Sequence, residues 1–231
     1  MKVDIGIIGA MEIEVENLKG MLEDPSEHTV SGVIFYTGRL YSKNVAIARC
    51  GIGKVFAAIC ATAMILEFSP KLIINTGVGG ALARGLSTGD VVIADRLCQH
   101  DMDTSAIGDP VGLISGINMV WLPTSERAVS ILKHAAESIG VKATVGSVAT
   151  GDRFIATKED KERITTLFGA SACEMEGGAI AQTCYAHSVP CAVVRAISDN
   201  ADGEAELDYP TFLPIAAKNS TAMTLALVKE F

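Results

Sequence analysis

Two short stretches decide the fold of this chain: Cys173-Glu174-Met175-Glu176-Gly177-Gly178-Ala179 and Arg195-Ala196-Ile197-Ser198-Asp199. The first follows a short apolar strand and leads through two glycines into a helix. The second ends a buried strand that begins at Pro190. Charged side chains at the ends of buried strands are costly unless they are paired or used in function. Because ligands of open α/β sheets bind at the carboxyl ends of the strands, we expect these stretches to form the floor of an active site.

Strands and helices alternate along the rest of the sequence. Apolar runs predict strands over 3–8, 32–39, 44–50, 72–76, 91–97, 143–150, 172–175 and 190–197. Helical spacing predicts helices over 12–22, 55–68, 125–138, 158–168, 177–187 and 211–229, with an acidic loop over 199–208. Gly77-Val78-Gly79-Gly80 is interpreted as a turn that ends the strand at 72–76, with close approach of the backbone to a ligand as the alternative. The alternation predicts an α/β fold, with one domain over residues 1–231 and three α/β/α layers around a central mixed, mostly parallel sheet.

Composition limits the partners that this chain can have. Its net charge of −8 argues against nucleic acid or an anionic membrane surface, which would require a basic face. Its six cysteines lie singly in apolar contexts, which is typical of reduced, buried cysteines in a cytoplasmic protein. We expect no signal peptide, because Asp4 interrupts the first apolar run, and no transmembrane helix.

Several common site motifs are absent or incomplete. Gly51-Ile52-Gly53-Lys54 fits neither the dinucleotide fingerprint nor a P-loop. His100-Asp101-Met102-Asp103 has no further ligands at metal-binding spacing, so we expect no metal site, and no nucleophile elbow is present. The polar, glycine-containing segment 98–122 is long for a connection in a compact domain, and such segments are more often functional than accidental.

Acidic side chains at strand ends carry the strongest chemical signal. Glu14 follows the first strand, Glu174 and Glu176 follow the strand at 172–175, and Asp199 follows the strand at 190–197 together with Arg195. Each acid alone is better explained as a solvated surface group. The set suits cleavage of a glycosidic bond, which needs an acid for the leaving group and a base for water.

Six motifs in order give the chain a family resemblance. They are Gly6-Ile7-Ile8-Gly9-Ala10-Met11-Glu12-x-Glu14, Gly51-Ile52-Gly53-Lys54, Ile74-Asn75-Thr76-Gly77-x-x-Gly80, Gly151-Asp152-x-Phe154-Ile155, Glu174-Met175-Glu176 and Arg195-Ala196-Ile197-Ser198-Asp199. Over essentially its whole length the sequence resembles the 5′-methylthioadenosine/S-adenosylhomocysteine nucleosidases of the purine nucleoside phosphorylase-like superfamily. The resemblance implies a nucleoside phosphorylase/hydrolase-like fold and a cytoplasmic homodimer without metal or cofactor. The implied partner is an adenine nucleoside, hydrolysed at its N-glycosidic bond.

The resemblance also implies roles for individual residues. Asp199 would protonate adenine N7, which requires a carboxyl that stays protonated near neutral pH. Glu14 would be ionised and would activate the attacking water, with Arg195 nearby.

The remaining implied roles concern the sugar and the base. Glu176 would hold the ribose hydroxyls, and its charge would be stabilised by the N-terminus of the helix that follows it. Glu174 would support the sugar or the water, and Met175 would pack beneath the sugar. Adenine would be bound by the Phe154 ring through stacking and by the backbone of Ile155 at the N1 and N6 edge. Gly80 would lie in a glycine loop that lines the pocket.

The 5′-substituent is the least determined part of the substrate. By resemblance, Met11, Ile52 and Tyr209 line its apolar pocket, and Ile107 reaches across from a second subunit. Val78 stands where serine is common in the family, and Thr104 and Ser115 make the long loop more polar than expected. These departures leave 5′-deoxyadenosine and a futalosine-like nucleoside open as substrates.

Two other functions remain as alternatives. A phosphorylase is disfavoured, because the acids Glu12 and Glu14 near the first glycine turn repel phosphate. A silent nucleoside-binding module is disfavoured, because all of the expected carboxylates are present.

Overall fold

The computed structural model describes residues 2–201 and 205–231, with Leu207 described by its backbone alone. Its strands are β1 Ile5–Gly9, β2 Glu23–Val30, β3 Val33–Leu40, β4 Lys43–Arg49, β5 Leu72–Ala81, β6 Val91–Gln99, β7 Leu122–Pro123, β8 Ala143–Thr150, β9 Ala172–Glu174 and β10 Cys191–Asp199. Its helices are α1 Glu12–Gly20, α2 Lys54–Phe68, α3 Glu126–Ile139, α4 Lys158–Phe168, α5 Gly177–Ala186 and α6 Ala205–Glu230, with a short 3₁₀ helix at Ser105–Ile107.

One mixed sheet connects all ten strands in the order β10-β6-β8-β9-β5-β1-β4-β3-β2, with β7 beside β6. Pairing is parallel at the centre, between β4, β1, β5 and β10. A further pairing of β10 with β5 closes five of the strands into a small barrel. The expected mixed sheet is therefore confirmed, with an added barrel that the strand pattern did not predict.

Helices cover both faces of the sheet. One apolar cluster packs α1, α3 and α6 on one face, and a second packs α2 and α5 on the other. A smaller cluster places Ile164 and Phe168 of α4 against the barrel strands. These packed faces give the expected three α/β/α layers. Among the described residues, no helix combines the length and apolar character needed to cross a membrane.

The predicted turn at Gly77-Val78-Gly79-Gly80 is wrong, because β5 runs straight through it to Ala81. These glycines meet other groups so closely that side chains would not fit. A Cβ at Gly77 would lie 2.5 Å from Glu14 Oε1, and a Cβ at Gly79 would lie 2.7 Å from the carbonyl oxygen of Cys173. The glycines therefore serve close approach of neighbouring groups to a strand.

Two other elements differ from the predictions. The edge strand β2 was missed because its sequence is polar and its residues are mostly exposed, as is common at sheet edges. Helix α6 begins at Ala205, before the expected start at Thr211, and contains Pro210 and Pro214. Of the expected acidic loop at 199–208, residues 202–204 lie outside the described residues.

Candidate active site

A cavity of about 510 Å³ opens at the carboxyl ends of β5, β9 and β10. Its volume lies within the range of small-molecule sites. It is lined by Ala10, Met11, Ile52, Val78, Gly79, Gly80, Arg153, Phe154, Ile155, Cys173, Glu174, Met175, Glu176, Ser198, Asp199, Glu206 and Tyr209. Eleven of the fourteen residues predicted for the site are in this lining, and Glu14, Arg195 and Ile107 are not.

The cavity lies where β5 changes its neighbour. β1 pairs with β5 only as far as Asn75, and β9 joins β5 at Gly80. Between Asn75 and Gly80, this edge of β5 pairs with neither β1 nor β9, so side chains can contact its backbone. The N–H of Val78 donates to Glu14 Oε1 over 3.1 Å. A Cβ at Gly80 would lie 2.9 Å from Asp199 Oδ1. Both predicted catalytic acids are therefore held against β5, two residues apart.

Glu14 is buried behind the cavity wall, in the first turn of α1. Its Oε2 accepts the N–H groups of Ala10 at 2.7 Å and Met11 at 2.9 Å, in addition to the Val78 bond at Oε1. Burial raises the pKa of Glu14, while Arg195 and the three N–H groups act in the opposite direction. Three fixed donors hold this carboxylate in one orientation, and its burial favours proton uptake.

Asp199 ends β10 and is also buried. The hydroxyl of Ser198 donates to its Oδ2 at 2.9 Å, and the N–H of Ala201 donates to its Oδ1 at 2.9 Å. Ser198 lines the cavity beside it. Ser198 was not among the predicted site residues, although its place directly before the strand-end acid was a usable signal.

Glu174 and Arg195 form a buried ion pair. Nε and Nη2 of Arg195 donate to Glu174 Oε2, and its other hydrogen bonds go to Asn75 and to the carbonyl oxygen of Val194. Glu174 Oε2 also accepts the N–H groups of Glu176 and Gly177, and its Oε1 accepts the hydroxyl of Thr150. Burial alone would raise the pKa of Glu174, but Arg195 and these hydrogen bonds outweigh it and lower the pKa.

Arg195 therefore lies behind the cavity floor, in contact with Glu174. Arg195 also lies near Glu14, since both side chains reach the same point beside Gly77. A Cβ placed at Gly77 would lie 2.5 Å from Glu14 Oε1 and 3.5 Å from Arg195 Nη1. The partners Asn75 and Thr150 were not among the predicted site residues. Both are buried polar residues in strands, and the sequence carries no signal of which charge they contact.

Glu176 has different surroundings from those expected. The N–H groups at the start of α5 bind Glu174, and Glu176 makes no side-chain cap there. Its Oε1 instead accepts the N–H of Gly53 at 2.8 Å, the residue that precedes α2. Burial and the neighbouring Glu174 raise the pKa of Glu176 to about 8, against the effects of Arg195 and the Gly53 N–H. The expected stabilisation by the N-terminus of α5 is therefore wrong, and the helix that contacts Glu176 is α2.

Aromatic and apolar side chains form the upper walls of the cavity. The rings of Phe154 and Tyr209 meet edge to face with centroids 5.5 Å apart, and the hydroxyl of Tyr209 donates to Met11 Sδ at 3.2 Å. Burial and the carboxylates of Glu14, Asp199 and Glu176 raise the pKa of Tyr209 to about 12. The charges of all three acids therefore affect the pKa of the Tyr209 phenol. Ile155 is buried, and neither its N–H nor its C=O bonds another described residue.

Glu14 and Arg195 lie directly behind the cavity wall and floor, whereas the predicted site residue Ile107 lies away from the cavity. It belongs to the 3₁₀ helix of the long loop and is 82% exposed. Among the described residues, no group of three or more His, Cys, Asp or Glu side chains could hold a metal ion. Asp101, in the segment first considered for a metal, instead forms an ion pair with Lys54. All six cysteines are buried free thiols.

Comparison with known proteins gives consistent full-length matches. A model of the phosphorylase superfamily matches residues 4–229. A 5′-methylthioadenosine/S-adenosylhomocysteine nucleosidase of Staphylococcus aureus is 44% identical over 227 residues, covering 98% of this chain and 99% of the relative. The structure of the Neisseria meningitidis nucleosidase of the same name, in complex with methylthio-immucillin-A, has a TM-score of 0.96 and 36% identity, with 99% of each chain covered. The structure of Helicobacter pylori futalosine hydrolase has a TM-score of 0.94 and 37% identity, covering 99% of this chain and 98% of that one.

Proposed function

This chain is an enzyme of the phosphorylase superfamily that belongs to the 5′-methylthioadenosine/S-adenosylhomocysteine nucleosidases, and from that premise we propose that it hydrolyses the N-glycosidic bond of those two nucleosides and releases adenine. One observation carries the proposal: Glu14 and Asp199 are held against β5 at Val78 and Gly80. Both carboxyl groups therefore lie beside the same stretch of β5, and hydrolysis of a glycosidic bond uses one carboxyl as the acid for the leaving group and another as the base for water.

The two carboxylates divide the proton transfers. Asp199 donates a proton to adenine N7, because adenine leaves poorly as an anion. Glu14 accepts a proton from the attacking water, and its raised pKa brings it closer to the neutral range in which a general base works best. The three N–H groups on Glu14 fix the direction from which it approaches that water. Negative charge around the sugar stabilises its oxocarbenium-like transition state.

The remaining lining residues bind the two halves of the nucleoside. Glu176 binds the ribose hydroxyls and Met175 packs beneath the ring, with Glu174 holding the backbone of Glu176 in place. Phe154 stacks on adenine. Its N1 and N6 edge bonds the N–H and C=O of Ile155, which lack partners among the described residues. Gly80 lets Asp199 approach the base, because a side chain there would meet Oδ1.

A futalosine-like nucleoside is the second candidate substrate, and 5′-deoxyadenosine is a third. The likeness to Helicobacter pylori futalosine hydrolase over nearly the whole chain favours the former. Met11, Ile52 and Tyr209 border the place for the 5′-group, and the Tyr209 hydroxyl adds a polar atom to an otherwise apolar wall. Val78 contributes its backbone N–H to Glu14 and an apolar side chain to the cavity, where a serine would add a hydroxyl.

The active unit in this proposal is a cytoplasmic homodimer. Ile52 on the cavity rim is 57% exposed, and the adjoining start of α2 exposes Val55 at 70% and Phe56 at 58%. A second copy covering this apolar surface could bring its own exposed Ile107 to the rim. Light scattering should give twice the chain mass, and a monomer that retains full activity would exclude the shared pocket.

A substrate panel in phosphate-free buffer tests the reaction itself. Adenine release from methylthioadenosine and S-adenosylhomocysteine is expected without phosphate, and a requirement for phosphate would indicate phosphorolysis instead. The variants Asp199→Asn and Glu14→Gln should each lower kcat by about 10³-fold or more with an unchanged circular dichroism spectrum. Retained turnover in either variant would remove that residue from its role. Binding without base release in the unaltered protein would support the silent binding module.

A further inference from the structure

Two turns of the chain touch each other beside the cavity, and neither Lys54 nor Asp152, the residues that join them, has a role in the chemistry above. The turn Gly51-Ile52-Gly53-Lys54 leads into α2, and the segment Gly151-Asp152-Arg153 leads into Phe154 and Ile155. The side chain of Asp152 joins them, because its Oδ1 accepts the N–H of Lys54 at 2.7 Å. Asp152 does not line the cavity.

The start of α2 depends on bonds from outside the helix. Its N-cap residue is Gly53, which has no side chain to satisfy the first N–H groups of the helix. Gly51 and Gly53 have φ angles of +93° and +99°. Glycine adopts this conformation readily, but its lack of a side chain also leaves the backbone free to adopt others. Two carboxylates from distant parts of the chain provide the missing acceptors: Glu176 binds the N–H of Gly53, and Asp152 binds the N–H of Lys54.

Asp152 is itself fixed by a charged pair. Asp101 Oδ2 accepts the N–H of Asp152 at 2.9 Å, and Asp101 Oδ1 accepts Lys54 Nζ at 2.7 Å. Asp101 therefore bonds both turns at once. The fit is also close in space, because a Cβ at Gly53 would lie 3.1 Å from Asp152 Oδ1.

We propose that Asp152 is a positioning residue that caps α2 from outside and thereby holds the Gly53 N–H on Glu176, joining the ribose-binding wall to the adenine-binding wall. The inference rests on the proposed function for its kinetic consequences. Without the Asp152 carboxylate, the glycine turn loses its fixed position and Glu176 loses its hydrogen-bond donor. Glu176 then meets the ribose hydroxyls in a less defined orientation.

The variant Asp152→Ala tests this role in the full-length protein. Glu176 would contact ribose in both the bound substrate and the transition state, so the loss should appear as a rise in KM of about tenfold with kcat changed less than about threefold. Amide hydrogen exchange at Gly53 and Lys54, measured without substrate, should accelerate by at least tenfold. Asp152→Asn keeps an oxygen acceptor and should recover most of both effects.

Ser125→Ala is the matched control, because the Ser125 hydroxyl caps α3 by accepting the N–H of Ala128 far from these turns. It removes a helix cap of the same kind, and its KM and exchange at Gly53 should match the unaltered protein. If Asp152→Ala does not fold, Lys54→Pro removes the same hydrogen bond from the donor side, since proline is tolerated at the first helical position. Lys54→Met, which keeps the N–H, is its comparison.

The outcomes separate this inference from the proposed function. Faster exchange at Gly53 and Lys54 with raised KM supports the positioning role. Unchanged exchange, or a KM equal to that of Ser125→Ala, overturns it. If the unaltered protein releases no adenine from any nucleoside, the proposed function fails, while the exchange experiment still decides whether Asp152 holds the turn.

Discussion

Glu174 and Glu176 lie two residues apart and face opposite kinds of surroundings. Glu174 lies on the protein side of the cavity floor, where Arg195, Thr150 and the start of α5 satisfy both of its oxygens. Glu176 lies on the cavity side, where its described protein partner is the single N–H of Gly53. The pKa of the first is lowered and that of the second is raised to about 8. Two identical side chains thus become a structural anion and a carboxyl that is free to bind a ligand.

Removing the charge of Glu174 should have the largest effect on stability. Glu174→Gln leaves the buried guanidinium of Arg195 without a counter-charge, and breaking a buried pair in this way costs about 3–5 kcal/mol. Urea unfolding should show this loss. The double variant Glu174→Gln with Arg195→Gln should recover part of it, because no unpaired charge then remains. A loss below about 1 kcal/mol in the single variant would contradict the structural role.

The raised pKa of Glu176 should make the stability of the folded protein depend on pH. Its pKa of about 8 in the folded state lies above the ordinary value of 4.5, because of burial and Glu174, with Glu14 adding to the rise and Arg195 opposing it. Between these two values the folded protein holds a proton that the unfolded chain has released, so stability falls as pH rises through this window. Glu176→Gln has no such proton to release. The Tm of this variant minus that of the unaltered protein should therefore grow by about 5 °C or more from pH 5 to pH 8.5.

Glu16→Gln provides the control for that measurement, because Glu16 lies on the exposed face of α1. It removes one negative charge without touching the cavity. A Tm difference for Glu176→Gln that stays constant over the same pH range would show that Glu176 is ionised throughout, and the comparison with Glu174 would fail.

The sequence predicted which residues gather at the site better than it predicted how they are held. The strand-end positions of Glu174 and Asp199 were sufficient to place them in one cavity, and α4 and β8 begin and end where expected, since their local patterns agree with their final environment. The hydrogen-bond partners could not be predicted in the same way. Glu174 and Glu176 are equivalent in the sequence, and only contacts with Arg195 and with Gly53 distinguish them.

The same limit explains the misinterpreted glycines of β5. Gly77 and Gly79 resemble turn residues locally, because glycine is common in turns. Glycine is needed at these two positions because Glu14 and Cys173, which are distant in sequence, fill the space next to the strand where a Cβ would lie. Similarly, the pattern of charges in 199–208 indicated a loop, although the backbone from Ala205 onward is already helical.

Removing the Thr150 hydroxyl should have the smallest effect and provides the sharpest test of the division between the two acids. This hydroxyl donates to Glu174 Oε1 and accepts the N–H of Gly178 at 2.6 Å, so it connects the structural anion to α5. Thr150→Val keeps the shape but leaves both the buried N–H of Gly178 and Glu174 Oε1 without this partner, at a cost of about 1–3 kcal/mol. Unfolding in urea should show that loss, and KM should stay within about twofold because Glu174 retains Arg195. Thr224→Val removes a buried hydroxyl that bonds Thr76 and Ser220, away from the carboxylates, and serves as the matched control. If Thr150→Val raises KM tenfold while Thr224→Val does not, the support of Glu174 reaches the substrate, and the two acids act as one unit.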